Sequence, residues 1–504
     1  MPVNELLERR AENSASRRAF LGTLGQAAMV AAGTSAMGGL AIAAPAAKNA
    51  RIAVVGAGLA GLTCAWRLKQ AGLTATVFEA ATRLGGRCFS RRGYFADGQV
   101  VERGGELIDT GHTAVLDLAA EFGLPVDDLL AAEPAGTEPV YHFGGQSYTY
   151  AQVLTEFQAI YPALQDDVTA ADYPTTFNSS TPRGRQLDKI SIAQYIDQIV
   201  PGGHHSLLGQ VLDVAYNIEF GAETEEQSAL SLLYLLGFSE QSTFSIFGES
   251  DERFHIRGGN DQLVSNLAAR LGNQIQTGMP LVAIAKNADG RSTLTFSDGL
   301  TCKSQVFDHV VLALPFSILR YSVDISKANF SRRKRTAIAE QGMGTNSKFQ
   351  LQFKRRFWNA LGNNGDTYAD TGYQNTWEAT RGQSGRSGVL VNFTGGEIGA
   401  SYNEGTLAQR NSTVLSQLEP VLNGATHQFN GLSTLDYWPG YRWTRGSYAY
   451  WKVGQYTGFA GIEGVRQGNV HFCGEHTSLD YQGYLNGAVD TGNNAAAEII
   501  ADLG

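Results

Sequence analysis

Four short, mostly apolar runs stand out along the chain: Ile52-Ala53-Val54-Val55, Ala75-Thr76-Val77-Phe78, Val310-Val311-Leu312-Ala313-Leu314 and Val470-His471-Phe472-Cys473. Runs of this length, apolar without alternation, predict strands buried on both faces, as in a parallel sheet covered by helices. Leu62 through Ala71 predicts a helix ended by Gly72, and Leu485 to Leu503 a largely apolar one. In mid-chain, Arg257-Gly258-Gly259-Asn260 predicts a turn leading into a helix to about Leu271. Pro280 to Ala285 and Ser292 to Phe296 follow as strands, and then the Asp298-Gly299 turn. A different pattern appears at 343–353, where polarity alternates with period two. Phe349, Leu351 and Phe353 share one face of that strand, and Lys348, Gln350 and Gln352 share the other. On pattern alone, the lysine face is solvated.

The first strand runs directly into Gly56-Ala57-Gly58-Leu59-Ala60-Gly61, and the second ends at Glu79, 23 residues after the first glycine. Each part of this arrangement has a task. Gly56 makes the turn, Gly58 lets the backbone approach a pyrophosphate, and Gly61 lets the helix lie close on the strand. The helix N-terminus offers N–H groups and a positive dipole end to phosphates. Glu79 suits ribose hydroxyls and repels a 2′-phosphate. The sequence therefore predicts a dinucleotide site.

Beyond Glu79 come Arg83-Leu84-Gly85-Gly86-Arg87 and then Glu102-Arg103-Gly104-Gly105-Glu106-Leu107. The tail carries Gly474-Glu475-His476-Thr477 and Gly483-Tyr484-Leu485-Asn486-Gly487. Together these motifs resemble the flavin-containing amine oxidase family, which includes monoamine, polyamine and L-amino acid oxidases. The likeness spans roughly residues 50–504 and is most specific at its two ends. It implies an α/β fold in which a Rossmann-like FAD-binding domain, of the two-dinucleotide-binding type, is assembled from discontinuous segments beside an α+β substrate-binding domain. The expected divisions are 47–115, 246–320 and 436–504 for FAD, the last with active-site aromatics, and 116–245 and 321–435 for substrate. Cofactor contacts are expected from Gly56, Gly58, Gly61, Glu79, Gly86, Arg87, Gly104, Gly105, Glu106, Leu107, Leu281, Glu475, Tyr484 and Leu485. The resemblance also places Lys348 against the flavin, holding a water, and makes Tyr448 and Tyr484 an aromatic pair flanking the substrate nitrogen. Ser447 stands where members with covalently bound flavin carry cysteine, which implies non-covalent FAD.

Composition narrows the picture. The 504 residues include 59 glycines, well above the roughly 7% of ordinary globular chains, as expected where backbone packs against ligand. A net charge of −9 argues against a nucleic-acid partner. Four scattered cysteines and nine histidines form no metal-ligand motif, so no metal is expected. Near the N-terminus, Ser16-Arg17-Arg18-Ala19-Phe20-Leu21 precedes a weakly apolar stretch to about Ala44. Residues 1–46 therefore read as a twin-arginine signal peptide, giving export to the periplasm or medium. No later run is long enough to span a membrane.

The substrate is less determined. An L-amino acid is the first expectation, because the overall pattern is closest to bacterial L-amino acid oxidases. Oxidative deamination by hydride transfer gives a 2-oxo acid, ammonia and, with molecular oxygen as acceptor, hydrogen peroxide. Its carboxylate requires a cation, and Arg442 and Arg445 are the candidates, with Trp438 as a further lining residue. A primary-amine or polyamine oxidase is the alternative, with Glu106 or Asp109 attracting a cationic amine. An apolar aromatic pocket is expected to neutralise the amine by itself, without a side-chain base. A homodimer is held open.

Overall fold

The computed structural model describes residues 50–504, so the expected leader lies outside the described residues. The four predicted buried strands join one parallel sheet, with the unpredicted Ile275–Gln276 added at one edge, in the order Val470–Phe472, His309–Leu312, Ile52–Val55, Ala75–Phe78, Ile275–Gln276. Its central strand, Ile52–Val55, is wholly buried, as its continuous apolar run requires. The sheet draws on pieces of chain separated by some of the longest intervals in the sequence.

Helices Leu59–Gln70 and Leu485–Leu503 cover one face of this sheet. They meet almost backbone to backbone: a Cβ on Gly492 would lie 2.5 Å from the carbonyl oxygen of Ala60. A Cβ on Gly61 would lie 2.0 Å from the carbonyl oxygen of Gly56, so only glycine lets the first helix sit on its strand. Leu62, Leu68, Val77, Val489 and Ile499 seal the layer, all fully buried. Burying a side chain of this size stabilises the fold by about 1.5–3 kcal/mol each. The consequence for function is positional, because this packing aims both helix N-termini at one point.

A second body faces the first. Its seven-stranded sheet runs Phe429–Tyr437, Ser347–Phe353, Gly388–Thr394, Gln374–Glu378, Asn363–Ala369, Glu138–Phe143, Gln146–Tyr148, antiparallel except where Asn363–Ala369 meets Glu138–Phe143. Helices Tyr150–Ala171, Ile192–Ile199, Leu207–Phe220 and Ala229–Leu236 build an aliphatic and aromatic core beside it.

The strand Ser347–Phe353 departs from its pattern, since every residue in it is buried. Its polar face is turned not to water but to the nucleotide side. Gln350 Nε2 donates to the carbonyl of Glu102 (2.8 Å), and Gln352 Nε2 to Gln99 Oε1 (2.8 Å). Alternation recognised the strand and misjudged the far side of it. None of the described helices is long and apolar enough to cross a membrane.

Candidate active site

Between the two bodies lies a cavity of about 430 Å3. At one end the sequence motifs converge. Gly56 and Gly58 line it, and a Cβ on Gly58 would meet nothing within 4 Å, so the backbone there is open to a ligand. No side chain caps the N-terminus of Leu59–Gln70, or that of Leu485–Leu503. Two dipole ends are thus available to anionic or electron-accepting groups. Glu79 lies at the edge of the cavity and accepts from the backbone N–H groups of Ala57 and Ala81, both at 2.8 Å. Burial pushes its carboxyl above the usual range.

Gly86, Arg87, Gly104, Gly105, Glu106, Leu107, Leu281, Glu475, Tyr484 and Leu485 also line this cavity. Arg87 Nη1 donates to Glu475 Oε1 (2.6 Å) and to the carbonyl of Ser447 (2.7 Å), tying the first nucleotide motif to the last. Gly61 alone among the expected contacts does not line it, serving instead the close packing described above. Open glycine backbone and uncapped helix N-termini suit the phosphates of a dinucleotide, and Glu79 is an acceptor suited to its ribose hydroxyls.

Lys348 stands where the two bodies meet. Its Nζ donates to Glu106 Oε2 (2.5 Å) and to the carbonyl of Gly104 (2.9 Å), and lies 5.3 Å from the Trp377 ring. Trp377 Nε1 in turn donates to Glu106 Oε1 (3.0 Å). Glu106 is therefore neutralised by Lys348 and does not serve as the free acid considered from sequence. Asp109 is not on the cavity wall either. It sits behind, accepting the N–H of Glu252 (3.0 Å), and burial pushes its carboxyl up to about 6.

Tyr448 and Tyr484 both line the cavity, and their hydroxyls meet at Glu219, Tyr448 on its carbonyl (2.6 Å) and Tyr484 on its Oε1 (3.4 Å). Phe220, Phe247, Tyr368 and Phe393 continue the aromatic wall. Trp438 also lines the cavity, but packs against Gly104 at the nucleotide end, its Nε1 held by the carbonyl of Arg103 (2.8 Å).

Arg442 and Arg445 are not part of this site. Both are exposed, stacked over Trp443 (4.3 Å) and Tyr321 (5.6 Å) respectively. The chain turns between Trp438 and Gly446, with Arg445 at φ +53°, and this turn presents the arginines outward. Nearness to Tyr448 in sequence did not carry them to its side of the chain.

Sequence reasoning missed the acids. Glu219 lies in the last turn of Leu207–Phe220 and faces the cavity, its Oε1 3.4 Å from the Tyr484 hydroxyl. Its place is fixed by the backbone. Tyr448 donates to the Glu219 carbonyl (2.6 Å), Asn346 to that of Ile218 (2.6 Å), and the Thr345 N–H to that of Gly221 (2.8 Å). Burial, followed by the charge of Asp109, pushes its carboxyl up to about 8. Glu252 opens onto the same void, at φ +48°, and the protein packed around it raises its carboxyl strongly by desolvation. Arg381 lines the cavity too, held at 3.2 Å by both Glu133 and Asp366. Even so, burial pushes the Asp366 carboxyl up to about 6. One signal for Glu219 existed in the sequence. An acid at the C-terminal end of an apolar helix opposes the helix dipole and calls for a reason.

The expectation of a simply apolar pocket is thus corrected: the wall is aromatic but acid-rich. Among the described residues, one group has the composition of a metal site, His309, His471 and Asp502. It lies off the cavity, with His471 already bonded to Glu498 (2.6 Å) and Asp502 to Arg466 (2.8 Å).

Comparison with known proteins agrees with this geometry. The sequence profile described as flavin containing amine oxidoreductase matches residues 59–500. An L-amino acid dehydrogenase of Synechocystis is 26% identical over 89% of this chain and 94% of its own. A putrescine oxidase of Kocuria rosea is also 26% identical, over 89% and 95%. The structure of cyclohexylamine oxidase from Brevibacterium oxydans superposes with a TM-score of 0.78 at 21% identity, covering 90% of this chain and 99% of that one, a likeness of fold.

Proposed function

The chain belongs to the flavin-containing amine oxidoreductases, and from that premise we propose that it oxidises a primary amine bearing a second positive charge, with non-covalent FAD and oxygen as electron acceptor. One observation carries this reading. Away from the nucleotide end, the cavity wall presents seven carboxyl groups (Glu106, Glu133, Glu219, Asp251, Glu252, Asp366 and Glu378) against two cations, Lys348 and Arg381. Both cations are already paired, while Glu219, Asp251 and Glu252 have no ion-pair partner among the described residues. A carboxylate attracts an ammonium 4 Å away by about 4 kcal/mol at the effective dielectric of a protein. Three acids without an ion-pair partner on one cavity wall therefore favour a dication over a neutral or anionic molecule.

The residues divide the work. Tyr448 and Tyr484 flank the reacting nitrogen and exclude water, while Glu252 draws the distal ammonium. Lys348, locked by Glu106, holds a fixed positive charge at the junction with the cofactor end. Flavin supplies the two-electron acceptor. Ser447, whose hydroxyl donates to Asn346 (2.5 Å), offers no thiol for a covalent link. Acid precipitation of the yellow protein should release FAD, and FAD retained by the denatured chain overturns the non-covalent reading.

A diamine meets these requirements directly, and a relative named putrescine oxidase supports it. A basic L-amino acid is the second reading. It is favoured by Arg381, whose Nε has no hydrogen-bond partner, and by the relative named L-amino acid dehydrogenase. Cadaverine and L-lysine differ by one carboxylate, so peroxide release from the two decides between them. A wild-type enzyme preferring a monoamine of equal length to both overturns the reading that a second positive charge is required. Export is proposed on the twin-arginine leader alone, and Arg17→Lys with Arg18→Lys should leave folded enzyme inside the cell.

A further inference from the structure

An acid-rich cavity creates a chemical difficulty that an apolar one does not. The same carboxylates that draw an ammonium also stabilise it, and an ammonium has no free lone pair from which a C=N bond can form. The amine must lose a proton inside the site before its C–H bond can break as hydride, so the site needs an acceptor beside the aromatic pair. We infer that the Glu219 carboxylate is that acceptor, taking the proton from the substrate ammonium held between Tyr448 and Tyr484.

This inference rests on the cationic-substrate reading, and four observations support it. Glu219 Oε1 is within 3.4 Å of the Tyr484 hydroxyl, at the aromatic pair rather than at the far end of the cavity. Its backbone is pinned by the other member, since Tyr448 donates to the Glu219 carbonyl at 2.6 Å, so acid and cage are fixed as one unit. Of the other two acids without an ion-pair partner, Glu252 has no such bond to either tyrosine and Asp251 accepts instead from the N–H and hydroxyl of Thr110, while Glu106 and Asp366 are committed to Lys348 and Arg381. The groups that act on Glu219 are Asp109, Glu252, Tyr216, Tyr368, Tyr448 and Tyr484, with no cation among them in the described residues. Its carboxyl is accordingly raised toward working pH, the range in which a general base is most effective.

The proton and electron accounts close. An ammonium N–H proton moves to a Glu219 oxygen, leaving the nitrogen lone pair free. The C–H bond then breaks with its electron pair transferred as hydride to flavin, and the lone pair closes the C=N bond. The substrate is oxidised by two electrons, the flavin is reduced by two, and Glu219 is left holding one proton to return to solvent.

Two measurements on the flavin-loaded enzyme test this. The first is binding of 2,5-dimethylhexane-2,5-diamine, a dication with no hydrogen next to nitrogen, by calorimetry in two buffers of different ionisation enthalpy at pH 7. Wild type should release about one proton more on binding than Glu219→Gln, because Glu219 ionises beside the ammonium while Glu252, also raised by burial, responds alike in both enzymes. The second is anaerobic flavin bleaching by cadaverine or L-lysine against pH. Glu219→Gln should be slowed at least about 100-fold at pH 7 and recover roughly tenfold per pH unit toward the pKa of the amine. Glu219→Asp keeps the acceptor and should retain a displaced version of the wild-type profile, which separates proton transfer from folding. A Glu219→Gln enzyme with the wild-type pH profile and proton count overturns the assignment. Failure of the substrate reading looks different, since wild type itself would then not be bleached by either compound.

Discussion

The two ends of the cavity are built by opposite means. At the nucleotide end, two acids, Glu79 and Glu475, meet two arginines, Arg83 and Arg87, and the balance is even. Most of its other contacts are glycine backbone and helix N-termini. At the substrate end, the excess of acids is large and the contacts are side chains from many separate stretches of chain. A cofactor that stays bound is best held by preformed, charge-neutral surroundings, whereas a transient cation is drawn by uncompensated charge. The uncompensated end carries a cost in stability, because buried carboxyls without cations are forced toward their neutral form.

The comparison can be broken at its stiffest point first. Gly61→Ala sets a Cβ 2.0 Å from a backbone oxygen, which cannot move aside. We expect this change to abolish flavin retention, read as loss of the yellow absorbance of purified protein. Lys348→Met comes next. It strands Glu106 in a buried setting where both partners are only 5% exposed, and should cost about 3–5 kcal/mol. Adding Glu106→Gln should recover part of that loss in a thermal melt. No recovery means the pair is not coupled as its geometry implies.

A smaller effect is expected at the acid-rich end. Glu252→Gln should raise KM for cadaverine roughly tenfold, about 1.4 kcal/mol, with little change for a monoamine of equal length. Equal effects on both amines remove Glu252 from the role of distal partner. The pH dependence of stability follows the same acids. The carboxyls of Glu219 and Asp366 are raised to about 8 and about 6, so the folded state binds their protons more tightly than the unfolded state does. Their unfavourable contribution is complete above pH 8 and relieved as pH falls through 8 and 6 toward the ordinary carboxyl range. The melting temperature should therefore rise on mild acidification, and Glu219→Gln should flatten the upper part of that slope. The smallest effect is expected at Arg442→Ala and Arg445→Ala, which should leave kcat/KM within about twofold for every amine and amino acid tested. A selective loss with amino acids returns these arginines to the site.

The nucleotide end was legible in the sequence because its chemistry is local. A glycine at a fixed offset from a strand, or a helix start after a turn, performs its task through backbone within a few residues. The consecutive apolar runs and the Gly56 to Gly61 turn therefore predicted both the parallel sheet and its ligand end. Tyr484 was placed by resemblance, since its flanking glycines match the family's motif. Where a side chain's task depends on what faces it, the sequence was silent or misleading. Lys348 sat on an alternating strand that promised water, and the opposing 96–106 segment turned that polar face into a sealed junction. Arg442 and Arg445 were near Tyr448 along the chain, yet the turn at Arg445 sent them outward. Glu219, Glu252 and Arg381 are far apart in sequence and meet only because a helix end, a strained loop and a strand exit close on one void. By itself, then, the sequence determined the strands, the nucleotide turn and the family motifs, since these depend on local backbone geometry and burial pattern. Tertiary packing alone decided which charges are neutralised and which remain free, because electrostatic partnership depends on distance in space and on the exclusion of water.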